Sequence, residues 1–263
     1  MKSVHPPNGR VTLAKLFFLD AKAGWAVGSQ DRLPAIWSSD DGGETWSANA
    51  WVASRFREVD PEGGVLLDVQ FVDNRNGWAV GNFHGAPLSI ATTDGGLNWS
   101  IQYQGRELCG QMSSIRFVDG SHGMAACSNG IFETSDGGAE WSLQHFDPVG
   151  LLNDLFVTNA DDAWAAGAWG QLFKRDKRRG WRAIDIPAAR GKFLAWIIFS
   201  NPQGGWAAGP SGDVYVSRNG GGSWRRDKAP EAFLHGGDLI YGTSSKVFRI
   251  VAPNRLFVRP VDD

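Results

Sequence analysis

The sequence predicts an all-β fold in which one four-stranded antiparallel sheet is repeated radially, and three observations predict it. A short apolar strand related to Gly77-Trp78-Ala79-Val80-Gly81 recurs five times along the 263 residues. Each copy leads into a polar turn that closes on tryptophan, and the closing tryptophans at 46, 99, 141, 181 and 224 stand 53, 42, 40 and 43 residues apart. A period near forty with several strands per copy is the spacing of propeller blades. Composition agrees, because 34 Gly, 13 Trp and only 3 Met imply many turns, aromatic-packed strands and little helix.

The first copy has Gly24 to Gly28 and the turn Ser39-x-Asp41-x-Gly43-x-Thr45-Trp46. The second has Gly77 to Gly81 and Thr92-x-Asp94-x-Gly96-x-Asn98-Trp99. In the third, Gly123 to Ala126 leads to Thr134-x-Asp136-x-Gly138-x-Glu140-Trp141. The fourth keeps the strand Ala163 to Gly167 but replaces the turn with Lys174 to Trp181, and the fifth has Gly205 to Gly209 with Ser217-x-Asn219-x-Gly221-x-Ser223-Trp224. Such a turn satisfies itself: the Asp or Asn accepts from backbone N–H groups ahead of it, the Ser or Thr adds a local acceptor, and the glycines supply positive φ. The tryptophan that follows can be buried against a neighbouring sheet.

An inner strand precedes each glycine–tryptophan strand, at Leu16 to Leu19, Val69 to Val72, Ile115 to Val118, Leu155 to Val157 and Ile197 to Phe199. With the strands entering and leaving the turn, each copy holds four. The repeats run over about 11–50, 65–103, 112–145, 151–186 and 193–228. After them, 236–263 offers three strands, and residues 1–7 are expected to add the fourth, so that six blades close in a single domain with both termini in the last one. Seven blades would need residues that are not there.

No uninterrupted apolar core of signal-peptide length occurs in Met1 to Leu19, and no stretch approaches the roughly 18 apolar residues of a membrane span. The expected place is therefore the cytoplasm as written, or an exported compartment if the numbering starts at a mature N-terminus. Cys109 and Cys127 fall in one repeat; hairpin pairing would put residue 127 opposite about residue 114, so a disulfide is not expected. No Cys or His pair has ligand spacing, so no metal and no cofactor is expected.

The turns match the Asp box, also called the bacterial neuraminidase repeat, of sialidases, sortilin-like receptors and several glycoside hydrolases. The pairing of that box with a GWAVG strand in each copy most resembles the photosystem II assembly and stability factor family, over about residues 11–225. The resemblance implies a non-catalytic propeller scaffold that binds a protein partner, with arginine-rich partner-binding surfaces. It assigns Ser39, Asp41, Gly43, Trp46, Thr92, Asp94, Gly96, Trp99, Thr134, Asp136, Gly138, Trp141, Ser217, Asn219, Gly221 and Trp224 a structural role. The alternative is a carbohydrate-active propeller, sialidase-like, another glycoside hydrolase, or a glycan-binding module.

A sialidase needs an arginine triad, a tyrosine nucleophile with an acidic partner and a separate acid/base on one face. The only tyrosines are Tyr103, Tyr215 and Tyr241, and no residue is assigned a catalytic role. Loop carboxylates Asp60, Glu107, Asp147 and Asp213 read as solvated, and the inner-strand charges Lys15, Asp68, Arg116 and Asp154 as water-facing groups or ion pairs. Charge is uneven along the chain: Lys174 to Lys228 carries +8, whereas residues 1–173 carry −10. Lys174, Arg175, Lys177, Arg178 and Arg179 are expected to steer an acidic protein partner. Nucleic acid ranks last, because aromatics that could stack bases are sparse in that block. A monomer is expected.

Connectivity of a four-stranded blade puts every Asp box at one end and the connections between strands two and three, with those between blades, at the other. That second end collects the loops Ser29 to Ala35, Asn49 to Gly64, Asn82 to Pro87, Gln102 to Gln111, His145 to Gly150 and Pro187 to Lys192. Arg32, Trp51, Arg55, Arg57, Phe83, His84, Tyr103, Arg106 and Trp169 are the candidate partner-binding residues there, since aromatics beside arginines make binding hot spots.

Overall fold

The computed structural model describes residues 10–56, 63–105, 109–128, 130–145, 150–176, 178–227, 238–242, 247–252 and 255–260. The chain divides into two compact units, Met1–His145 and Phe146–Asp263. In the first, β1 (Val11–Phe18), β2 (Gly24–Gln30), β3 (Leu33–Ser39) and β4 (Ser47–Ala48) form one antiparallel sheet in chain order. The second sheet is β5 (Gly64–Phe71), β6 (Gly77–Phe83), β7 (Ala86–Thr92) and β8 (Ser100–Gln104); the third is β9 (Met112–Phe117), β10 (Gly123–Cys127), β11 (Gly130–Thr134) and β12 (Ser142–His145).

The other unit repeats the pattern with β13 (Leu152–Asn159), β14 (Asp162–Gly167), β15 (Leu172–Asp176) and β16 (Gly180–Ile184), then β17 (Trp196–Phe199), β18 (Gly205–Ala208), β19 (Val214–Ser217) and β20 (Arg225–Asp227). A three-stranded sheet follows, of β21 (Asp238–Gly242), β22 (Val247–Ala252) and β23 (Arg255–Pro260). The strand expected from residues 1–7 lies outside the described residues.

Glycine opens β2, β6, β10 and β18 because a phenylalanine ring lies over it. A Cβ on Gly24, Gly77, Gly123 or Gly205 would come within 2.4 to 2.5 Å of the ring of Phe18, Phe71, Phe117 or Phe199, its strand partner. In the fourth sheet alanine stands there, as Ala163, and its partner is Val157 rather than phenylalanine. The two substitutions relieve one clash together.

The same phenylalanines join neighbouring sheets. Trp25 stacks on Phe71 and Trp78 on Phe117 at 3.6 Å between centroids, and Trp164 meets Phe199 at 4.0 Å. Each of these phenylalanines then takes the Asp-box tryptophan of its own sheet edge-on, Trp99, Trp141 and Trp224 at 5.8 to 5.9 Å. So the tryptophan that reaches the neighbouring sheet is the one in the glycine–tryptophan strand, while the box tryptophan packs at home. Offset and edge-to-face aromatic pairs of this kind stabilise by about 0.5–1.5 kcal/mol beyond the area they bury.

A bulge in each of four first strands sets the next link. The register slips after Leu13, Leu66 and Leu152, and between Ala126 and Cys127 on β10, which leaves Lys15, Asp68, Ser114 and Asp154 at matching positions. Asp68 turns its carboxylate to the next sheet, where Ile115 N–H donates at 3.0 Å, Ser114 Oγ at 3.0 Å and Arg116 Nη1 at 2.5 Å. Asp154 accepts from Ile197 N–H at 3.1 Å in the same way. Burial pushes the Asp68 carboxyl up, but Arg116 and Lys15 outweigh it and hold the group below the usual carboxylate range. The inner-strand charges are thus inter-sheet fasteners rather than a ligand cluster.

Two expectations need correction. The stretch Asn49 to Gly64 is not all loop: Ala50–Arg55 form the helix α1, capped by Asn49, whose Oδ1 accepts from Val52 N–H at 3.0 Å. Asn49 also reaches the next sheet, its Nδ2 donating to Gly96 O at 2.7 Å. Six residues give too short a periodic pattern for a helix to be legible against so many strands. The second correction concerns the cysteines. Because of the bulge, Cys127 pairs with Met112, and Cys109, three residues before Met112, is buried in the same apolar cluster as Cys127. Both thiols are free.

Candidate functional site

Each sheet offers two ends, and their chemistry differs. At the box end the polar groups are spent locally. Asp94 Oδ1 accepts from Asn98 N–H at 3.0 Å and from Thr92 Oγ1 at 2.8 Å, while Asn98 Nδ2 donates to Oδ2 at 2.8 Å. Asp41 repeats this with Ser39 and Thr45, Asp136 with Thr134 and Glu140 N–H, and Asn219 with Ser217 and Ser223. The donors from Thr45 and Ser39 hold the Asp41 carboxyl down to about 2, and Asp94 and Asp136 are lowered for the same reason. Trp46, Trp99 and Trp224 donate Nε1–H to the second glycine of their own boxes, Gly43, Gly96 and Gly221, at 3.1 Å, whereas Trp141 Nε1 is buried with no hydrogen-bond partner.

A second repeated turn, not anticipated from the sequence, braces the first. Asp20, Asp73, Asp119, Asn159 and Asn201 each stand four residues before the opening residue of the glycine–tryptophan strand. Their Oδ1 accepts backbone N–H two residues on, and in four of them three residues on as well. The first glycine of each box then donates to that turn: Gly42 to Lys22 O, Gly95 to Arg75 O, Gly137 to Ser121 O and Gly220 to Gln203 O, at 2.8 to 2.9 Å. The legible signal was Asp/Asn-x-x-x-Gly/Ala-Trp/Met, an Asx turn at fixed offset.

At the opposite end, β2–β3 and β6–β7 are joined by two-residue hairpins and β14–β15 by residues 168–171, each with two consecutive residues of positive φ. These are Asp31 and Arg32 (φ 51° and 70°), His84 and Gly85 (54° and 69°), and Trp169 and Gly170 (61° and 78°). That is the type I′ turn, whose twist matches the strands it joins. The loops expected over Ser29 to Ala35 and Asn82 to Pro87 are therefore tight turns. Bonds to the connections fix them further: Arg32 O accepts from Gly64 N–H at 2.7 Å, His84 N–H donates to Gly63 O at 2.9 Å, and Trp169 O accepts from Gly191 N–H at 3.2 Å.

The candidate residues sort accordingly. Arg32 and Arg55 are exposed, and Trp169 is 64% exposed with its backbone held in the left-handed region. Phe83 presents no surface: it is 3% exposed and packed edge-on against the buried Phe56 at 4.8 Å. His84 stacks on Phe83 at 4.0 Å, with Nε2 buried and lacking a hydrogen-bond partner. Trp51 and Tyr103 are half-buried, Trp51 against the core that holds Phe56 and Tyr103 against Phe132. Arg57 and Arg106 lie outside the described residues.

The basic block does not join this group. β15 runs from the Trp169 turn to Asp176, which pairs with Gly180, so Lys174, Arg175, Arg178 and Arg179 sit at the box end. Lys174 is engaged there: Nζ lies 4.9 Å over the Trp164 ring and donates to Gly220 O at 2.9 Å. Arg175 donates to Ala160 O and lies 3.7 Å from Asp161. Arg178 and Arg179 are exposed, their N–H groups tied to Asp176, whose carboxyl they lower; Lys177 lies outside the described residues. Tyr215 is wholly buried and donates its hydroxyl to Ala188 O at 2.8 Å, and burial raises its pKa, which is the wrong direction for a nucleophile.

These features define a class, the Asp-box propeller-type β-sheet repeat. The model of the family described as "Photosynthesis system II assembly factor YCF48" matches residues 7–175, and the chain belongs to that family. Among curated proteins it is similar to the photosystem II assembly lipoprotein Ycf48 of Synechococcus sp. (strain CC9902), 25% identical over 80% of this chain and 73% of that one. Among solved structures it is similar to YCF48 bound to a D1 peptide, with a TM-score of 0.52 at 20% identity, covering 97% of this chain and 95% of the other. The WD40 beta propeller domain of Doa1 matches with a TM-score of 0.62 at 13% identity, covering 97% of this chain and 84% of the other. The last two are likenesses of fold. No helix among the described residues is long and apolar enough to cross a membrane.

Proposed function

We propose that this chain is a non-catalytic assembly factor that binds a protein partner through the hairpin end of its sheets. Membership of the assembly-factor family supports the first part, and the relative whose solved structure holds a D1 peptide supports a peptide or protein as ligand. The observation that carries the second part is Trp169, a large aromatic held exposed in a conformation that only a rigid turn imposes on a non-glycine residue. Arg32 and Arg55 on the first unit, with Arg57 and Arg106, add guanidinium groups suited to an acidic partner. Arg178 and Arg179 act by long-range attraction rather than by contact. The same reading takes the chain as a single six-bladed domain closed by residues 1–7, monomeric, and exported like relatives named as lipoproteins.

A photo-crosslinking amino acid placed at Arg32, Arg55 or Trp169 tests this in the native cell, with one at Asp41 as the box-end control. The expected result is one protein species captured from the first three positions and not from the control. Capture from Asp41 alone would move the docking surface to the boxes.

A further inference from the structure

Every glycine–tryptophan-type strand but the third ends in a glycine that its surroundings require. A Cβ on Gly28, Gly81, Gly167 or Gly209 would lie 1.9, 2.0, 2.5 or 1.9 Å from the carbonyl oxygen of Thr12, Val65, Leu151 or Phe193. Cys127 holds this place in the third sheet, opposite Met112 as Gly81 is opposite Leu66. The carbonyl in register with that of Val65 is Gln111 O, and it accepts the Cys109 thiol at 2.8 Å. The chain has two cysteines in all. One replaces a repeat glycine, and the other sits on the carbonyl of the residue before Met112, the partner of the first. They share one apolar cluster, Cys109 5% exposed and Cys127 fully buried.

We propose that Cys109 and Cys127 are a reversible thiol–disulfide pair that fastens the connection between the second and third sheets to β10. The oxidant is a low-molecular-weight disulfide such as oxidised glutathione. The thiolate of Cys109, the less deeply buried of the two, attacks one sulfur of that disulfide and releases one glutathione thiolate. Cys127 then loses its proton, attacks the Cys109 sulfur of the mixed disulfide and releases the second thiolate. Two protein thiols have given up two electrons and two protons, and one glutathione disulfide has become two thiols. Hydrogen bonding holds the Cys109 thiol below its ordinary value, which raises the thiolate fraction at neutral pH. Forming the bond brings the two sulfurs to the roughly 2.05 Å of an S–S bond.

The test uses the full chain equilibrated in glutathione buffers from reducing to oxidising, quenched in acid, denatured, alkylated and weighed. Both alkylation sites should vanish together, with a cross-linked peptide joining residues 109 and 127, and reductant should restore both. Closing this loop should raise Tm by roughly 5–10 °C. In Cys127→Gly, which restores the repeat glycine, Cys109 should accumulate a single glutathione adduct instead. The proposal is overturned if both thiols alkylate in every buffer, or if the cysteines are found only as separate glutathione adducts or linked between chains.

Discussion

The second and fourth sheets carry the same strands with different turns. In the sheet of β5 to β8, Phe71 lies over Gly77, the box of Thr92 to Trp99 is complete, and Trp78 donates Nε1–H to Gly137 O of the next box at 2.7 Å. In the sheet of β13 to β16, Val157 faces Ala163, the box is gone, and Trp164 Nε1 has no hydrogen-bond partner. Lys174 supplies the missing donor: it lies on the Trp164 ring and bonds to Gly220 O, the carbonyl that corresponds to Gly137 O. A repeat that loses its box keeps the same link to its neighbour by another side chain. The box is one way of building a junction, not a site.

The largest effect expected from this comparison is at the phenylalanine–glycine pair. Gly77→Ala drives a methyl into the Phe71 ring and should cost about 1–3 kcal/mol in urea unfolding. Adding Phe71→Val reproduces the pairing of the fourth sheet, so the double variant should be more stable than the sum of the two single changes predicts. Additive losses would mean that the matched substitutions in the fourth sheet are unrelated.

Smaller is the effect of Lys174→Met, which removes the bond to Gly220 O and should cost about 1 kcal/mol. Arg178→Ala and Arg179→Ala, exposed beyond the same strand, should stay within about 0.5 kcal/mol. Equal losses at all three positions would deny Lys174 its role as a strut.

The boxes also predict a pH dependence. The folded-state pKa of Asp41, lowered from 3.8 to about 2, lies below its unfolded value, so its share of stability is present above about pH 4 and is lost as pH falls toward 2. Tm should therefore hold from neutral pH to about 4 and fall below it, and Asp41→Asn should flatten part of that fall. An unchanged profile in the variant would show that other carboxylates carry it.

Much of this fold was legible, because glycine–tryptophan strands and Ser/Thr-x-Asp turns repeat with fixed offsets that local chemistry enforces. The Asx turns at Asp20, Asp73, Asp119, Asn159 and Asn201 were legible in principle by the same periodicity. What could not be read was anything set by one sheet meeting the next. Lys174 reads as a free charge until Trp164 and Gly220 are beside it, Phe83 as a loop aromatic until Phe56 covers it, and Cys109 as distant from Cys127 until both enter one apolar cluster. Of the candidate surface, Arg32, Arg55 and Trp169 are exposed.

The two ends of a sheet have different work, and β15 lies between a residue of each kind, Trp169 before it and Arg179 after it. Trp169→Gly removes the exposed indole while glycine adopts φ near +61° without strain, whereas Arg179→Ala removes a charge from the box end. Affinity for the protein captured by crosslinking should be measured for both at physiological salt. We predict at least about a tenfold loss for Trp169→Gly with Tm no lower than the parent, and less than about a threefold loss for Arg179→Ala. A full loss on altering Arg179 with affinity intact in Trp169→Gly would contradict it.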